Sequence, residues 1–321
     1  MSAVSPIVGV MSIPTVPAGI EPVDPAERVG TRVDGIEVLG ALSPSRAGDF
    51  LACPLLYRFR TIDRLPEEPS VDALRGTVVH KVLEDLFDLP APQRTPDRAA
   101  AMVGPSWKAV LEEEPALASL FPDADEGAAV GAWLESCRSV LARYFILEDP
   151  RRLEPADREL YVETLTDSRL LLRGVIDRVD VATDGAIRLV DYKSSRSPSV
   201  EFEGKALFQL KFYALVLWRM RGVIPKRLQL IYLANAETLT YDPDEQDLLA
   251  TERKVQAIWD AVRRAQESGD WQPNPGPLCR WCSHQALCPA YGGTPPPLPV
   301  PQESGAEPTA LSTAGSSEPS G

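Results

Sequence analysis

The sequence predicts an α/β chain built around one mixed sheet, and three observations carry that prediction. Apolar residues recur at helical spacing through the first half of the chain. Three β-rich runs follow, at residues 159–165, 170–181 and 186–193. A strongly apolar helix over 205–221 then leads to a further strand at 226–234. With 321 residues, 44% of them hydrophobic and 25% charged, the chain is long and apolar enough to bury a sizeable core.

Proline marks the edges. Residues 1–40 and 292–321 together hold 12 of the 31 prolines, and such segments bury little, so both are expected to be disordered. The folded domain is placed at 41–291. Ser43 before Pro44 reads as an N-cap and first helical position, opening a helix that runs through Cys53 towards Phe59. Gly76-Thr77 opens a second helix over 78–87, with Val79, Val82, Leu83 and Leu86 on one face. A helical insertion follows over 107–147, broken near 123–127. The strands at 170–181 and 186–193 join across Thr183-Asp184-Gly185. The last long helix, 244–266, leads to a cluster of cysteines.

Several classes are excluded at this point. No apolar run approaches the roughly 20 residues of a membrane span. Residues 1–20 hold no Lys or Arg and no clean apolar stretch, so no secretory signal is expected. There is no GxxxxGK[ST] phosphate loop, so the chain is not by itself an ATP-driven motor. The net charge of −13 argues against phosphate binding. The two ends carry −3 each, which leaves −7 for the folded part. A carboxylate metal site would account for some of that.

Cys279, Cys282 and Cys288 form a CxxCx5C cluster, and Cys53 is a remote fourth thiol. Four thiolates suit either a tetrahedral Zn2+ or a [4Fe–4S] cluster. Clustered metal-bound thiolates fit a reducing cytoplasm better than a disulfide framework. Closing a loop of about 225 residues would remove unfolded-chain entropy worth on the order of 5 kcal/mol, which suits a structural staple. Cys137, among apolar helical residues, reads as a buried thiol, and His284 as a bystander in the cluster loop.

The strand at 186–193 ends in Asp191-Tyr192-Lys193. Its period of two puts Ile187, Leu189, Asp191 and Lys193 on one face, so an acid and a base project together where the strand ends. That placement suits a divalent cation held by Asp191, with Lys193 beside a reacting water. Acid-x-Lys also occurs at Glu203–Lys205 and Glu252–Lys254, but only the Asp191 instance ends an apolar strand. A three-residue loop with Gly185 left-handed would set Asp177 opposite Asp191; a two-residue turn would set it opposite Tyr192. The three-residue loop is expected. Facing carboxylates destabilise a sheet unless a cation sits between them.

These segments resemble the RecB-like branch of the PD-(D/E)XK nucleases over most of residues 43–289. The resemblance lies in the helix carrying Cys53, in Gly76-Thr77-Val78-Val79-His80, in Gly174–Asp177 with Asp191-Tyr192-Lys193, in Gln209 and Tyr213 as a QxxxY helix, and in the three C-terminal cysteines. Val190 stands where the family's naming proline would be. The resemblance implies a restriction-endonuclease-like core, a mixed sheet flanked by helices, with a C-terminal iron–sulfur cysteine cluster. It implies Mg2+ or Mn2+ held by His80, Asp177, Asp191 and the Tyr192 backbone carbonyl, with Asp177, Asp191 and Lys193 catalytic. Glu159 would join through water. Glu84, one turn after His80, reads as surface charge. Gln209 and Tyr213 would contact the substrate backbone; Arg178 and Lys211 are further phosphate candidates.

The implied activity is a DNA exonuclease acting on single strands or ends in repair or recombination. The cysteines would hold [4Fe–4S], with structural Zn2+ as the alternative. Two other readings are a non-catalytic nucleic-acid-binding module, and a nuclease subunit working with a separate helicase or repair partner or in CRISPR adaptation.

Overall fold

A computed structural model describes residues 30–33, 35–121, 126–199 and 203–299. Two short strands, β1 (Arg32–Val33) and β2 (Ile36–Glu37), form a hairpin ahead of the main sheet. The sheet comprises β3 (Gly40–Leu42), β4 (Asp157–Leu165), β5 (Leu170–Val181), β6 (Ile187–Lys193), β7 (Arg227–Tyr232) and β8 (Glu237–Tyr241). It is mixed: β3 pairs with β5, and β6 with β7, in parallel, while the remaining pairs are antiparallel.

Helices cover both faces. On one face α1 (Pro44–Ala52), α2 (Pro54–Tyr57), α6 (Glu203–Arg221) and α7 (Glu245–Ser268) pack with Ile187, Leu189, Leu228 and Leu230 into the larger core. On the other, α3 (Val71–Leu86), α4 (Pro96–Glu113) and α5 (Glu126–Leu147) pack on Val190, Tyr192, Ile231 and Leu233. The alternation along β6 decides which residue serves which layer, as a pleated strand requires. Among the described residues no helix is long and apolar enough to cross a membrane.

Several boundaries differ from the sequence reading. Residues 1–29, and 300–321 of the expected tail, lie outside the described residues. Ordered structure begins ahead of residue 41, because residues 30–40 contribute β1, β2 and the start of β3. The helix through Cys53 is two helices: Cys53 is the C-cap of α1 and the N-cap of α2, with φ −164° and ψ 115°. Pro54 is the cause, since its ring excludes helical geometry from the residue before it. α3 begins at Val71 behind an Ser70 N-cap, whose side chain accepts from Ala73 N–H, so Gly76 lies inside the helix and does not open it. β8 was not anticipated, being short and polar on its exposed side.

Candidate active site

The β5–β6 hairpin sets the site. Val181 pairs with Ile187 and Arg178 with Val190. The Ala182 N–H donates to Ala186 O at 2.9 Å, and Gly185 takes φ +84°. The loop is therefore three residues, with glycine in the left-handed position that other residues resist. Continued by one residue, this register sets Asp177 across from Asp191.

Asp177 is held by the strand it faces. The Tyr192 N–H donates to Asp177 Oδ2 at 2.7 Å, and His80 Nδ1 lies 3.5 Å from the same oxygen. Burial first, and then the neighbouring Asp191 carboxylate, push the Asp177 carboxyl up to about 8. Asp191 is buried, at 1% exposure. Lys193 Nζ lies 2.7 Å from Asp191 Oδ2 but is not aligned as a hydrogen bond, so that oxygen has no hydrogen-bond partner. His80 is reached by α3 and stands edge-on to Tyr192, with ring centroids 6.0 Å apart. Its desolvation holds the imidazole below its ordinary value, against the opposing pull of Asp191.

Lys193 is positioned from the other layer. Its Nζ donates to Gln209 Oε1 at 2.7 Å, and Gln209 Nε2 donates to the Tyr213 hydroxyl at 3.0 Å. Helical spacing puts both α6 residues on one face. α6 comes this close because β5 carries Gly174 beneath Tyr213: a Cβ there would stand 2.4 Å from Tyr213 Cε1. Tyr213 itself is buried. In this arrangement Gln209 and Tyr213 bear on Lys193, which differs from the direct substrate contact expected of them.

Arg178 is not a phosphate ligand. It is wholly buried, pairs with Glu148 through both terminal nitrogens at 2.9 and 3.0 Å, reaches Asp180, and donates to the Tyr192 hydroxyl. Arg188 joins the same network through Asp180 at 2.8 Å. Lys211 is likewise engaged, 3.1 Å from Asp247. Buried arginines hold buried acids, and Glu148 at the end of α5 carried no sequence signal for this role.

Glu159 in β4 completes a group with His80 and Asp177 whose ligand atoms lie within 4.8 Å of one another. Its partial desolvation, and then Asp177, push its carboxyl up to about 7. Glu84 is close enough for its charge to act on Glu159.

Residues 41–289 match the family model of the PD-(D/E)XK nuclease superfamily. The chain belongs to that superfamily. It is 25% identical over 273 residues to the Gene 69 protein of Mycobacterium phage D29, covering 78% of this chain and 96% of the phage protein. Its fold is similar to a solved structure from Eubacterium rectale described as "Putative exonuclease". The TM-score is 0.50 at 14% identity, covering 76% of this chain and 87% of the other.

PD-(D/E)XK nucleases use divalent metals, and the residues here fit one. Carboxylate oxygens with one imidazole suit Mg2+ or Mn2+. The buried Asp191 oxygen without a hydrogen bond is the kind of atom a cation satisfies.

Cys53, Cys279, Cys282 and Cys288 line one cavity of about 590 Å³. The Asn274 N–H donates to Cys53 Sγ and the Gly276 N–H to Cys279 Sγ, both at 3.3 Å. Four thiols thus line one space, with amides aimed at two of them, although no three of their sulfurs lie within 4.8 Å of one another. His284 is not idle: it is buried, with its ring edge-on to Phe59 and its Nε2 3.0 Å from Glu67 Oε1. Cys137 is a buried thiol in α5, pushed up to about 11 by burial.

Proposed function

We propose that this chain is a metal-dependent DNA nuclease of the RecB-like branch, acting as an exonuclease on single strands or ends in repair or recombination. The observation that carries the reading is the ordered row Asp177, Asp191, Lys193, fixed by the β5–β6 register and by Gln209. His80, Asp177, Asp191 and the Tyr192 carbonyl would hold Mg2+ or Mn2+. A bound divalent cation supplies Lewis acidity to the scissile phosphate and lowers the pKa of water there.

The chain's own residues do the remaining work. Tyr192 N–H fixes one oxygen of Asp177, so that this carboxyl group would be held in place for the cation. Lys193, steadied by Gln209 and Asp191, presents a positive charge where a phosphodiester gains negative charge in the transition state. It is also placed to orient the attacking water.

The four cysteines would hold a [4Fe–4S] cluster that staples α1 and α2 to the C-terminal segment, with Zn2+ as the alternative cargo. The test is anaerobic purification, a visible spectrum with metal analysis, and cleavage of end-labelled single strands with Mn2+. Cleavage by the wild type, with none by the folded Asp191→Ala and Lys193→Ala proteins, is expected. Full activity in either variant overturns the assignment. A coloured protein that never cuts any strand points to a binding module, and a colourless zinc-loaded nuclease replaces only the cluster.

A further inference from the structure

Glu159 occupies an unusual backbone conformation for a strand residue. The pairing of Arg158 with Arg178 and of Leu160 with Ile176 sets it across from Asp177. Its φ is +44°, in the left-handed region, although the residues on either side remain in the β4 ladder. For a non-glycine residue this conformation is strained. The conformation gains nothing visible in return: the carboxylate makes no hydrogen bond to another described residue, and it is exposed to solvent. It lies beside His80 and Asp177, with one ligand atom of each within 4.8 Å of the others. Three carboxyl groups, Glu159, Asp177 and Asp191, thus come from adjacent strands with a single imidazole and Lys193 against them. Such a set is unfavourable across a sheet without a cation. Asp191 lies across from Asp177 on the next strand, and its buried Oδ2, which makes no hydrogen bond, stands 2.7 Å from Lys193 Nζ.

We infer that Glu159 is a direct ligand of the divalent cation, a third protein carboxylate beside Asp177 and Asp191, and that its left-handed backbone turns the side chain to that position. The inference rests on the nuclease reading above. It goes beyond that reading in moving Glu159 from a water-mediated place in the metal shell to direct coordination of the ion, and in assigning a role to its backbone conformation.

The test is Mn2+ binding by isothermal calorimetry on the full chain, with melting temperatures measured in chelator. Glu159→Gln is expected to melt no lower than the wild type in chelator and to bind Mn2+ about 10- to 100-fold more weakly. Glu159→Gly relieves the backbone, so its melting temperature in chelator should rise while Mn2+ affinity falls as in Glu159→Gln. Wild-type affinity in Glu159→Gln, alongside weakened binding in Asp177→Asn, overturns the role of Glu159 and leaves the nuclease reading standing. A wild-type chain that binds no Mn2+ at all overturns both.

Discussion

Replacing Asp177 by Asn should stabilise the metal-free protein, and increasingly so as pH rises. Asp177 carries an ordinary carboxyl value of 3.8 when unfolded and about 8 when folded, because it is buried beside Asp191. A folded value above the unfolded one means that the contribution is intact below about pH 4. It is lost progressively as the pH rises towards 8, since the unfolded chain releases its proton first. Each pH unit in that window costs the folded state up to about 1.4 kcal/mol, so from pH 5 to pH 8 the ceiling is about 4 kcal/mol. Asn removes the titration and still offers an oxygen to the Tyr192 N–H. Its amide must still be desolvated and the site relaxes around either side chain, so about half the ceiling, ~2 kcal/mol, is expected to appear. In a domain of this size that is a gap of about 4 to 8 °C opening between pH 5 and pH 8. Melting both proteins in chelator across that range measures it. A gap that does not change with pH would refute the reasoning. Saturating Mn2+ should raise the melting temperature of the wild type at pH 8 and leave Asp177→Asn nearly unmoved.

Arg178→Ala should cost about 3 kcal/mol, because it removes the bidentate partner of buried Glu148 and leaves Glu148 and Asp180 to Arg188 alone; chemical or thermal denaturation measures the loss. Gly174→Ala should cost about 1 to 3 kcal/mol by driving a methyl into the Tyr213 ring, and it should lower turnover as well, since Tyr213 holds Gln209. Gln209→Ala should leave the melting temperature within about 2 °C of wild type while turnover falls about tenfold, with little change in KM, because it frees Lys193 from one of its two anchors.

How much of this was legible before the structure depends on where each signal resides. The β5–β6 hairpin was readable because Thr183-Asp184-Gly185 fixes both the turn and the register, and the register alone brings Asp177 to Asp191. Lys193 at the end of an apolar strand was readable from the period of two. The break at Cys53 was available in the Pro54 that follows it, but the apolar spacing on either side masked it. Arg178 could not be placed from sequence, since its partners Glu148 and Tyr192 come from elements brought together only by tertiary packing. The same holds for Tyr213, whose spacing from Gln209 suggested a shared face but not that Gly174 would bury its ring. Glu159 was visible as an acid on the preceding strand, whereas its left-handed backbone has no sequence signature in a residue that is not glycine.

The junction at Cys53 also bears on the order in which the chain assembles. Tyr57 stacks on Trp271 with ring centroids 5.9 Å apart, Asn274 Nδ2 donates to Ala52 O at 2.8 Å, and Arg58 donates to Pro296 O. All of these partners lie more than two hundred residues downstream, and none exists until that much further chain has been made. Domains fold as they emerge, but contacts of such long sequence separation wait for the last segment. Among the described helices, α1 and α2 are thus made first and locked in place late. Between those two moments, α1 and α2 leave uncovered the apolar side that Trp271 later covers, together with the Cys53 thiol. That interval is when this chain is most open to aggregation and to oxidation.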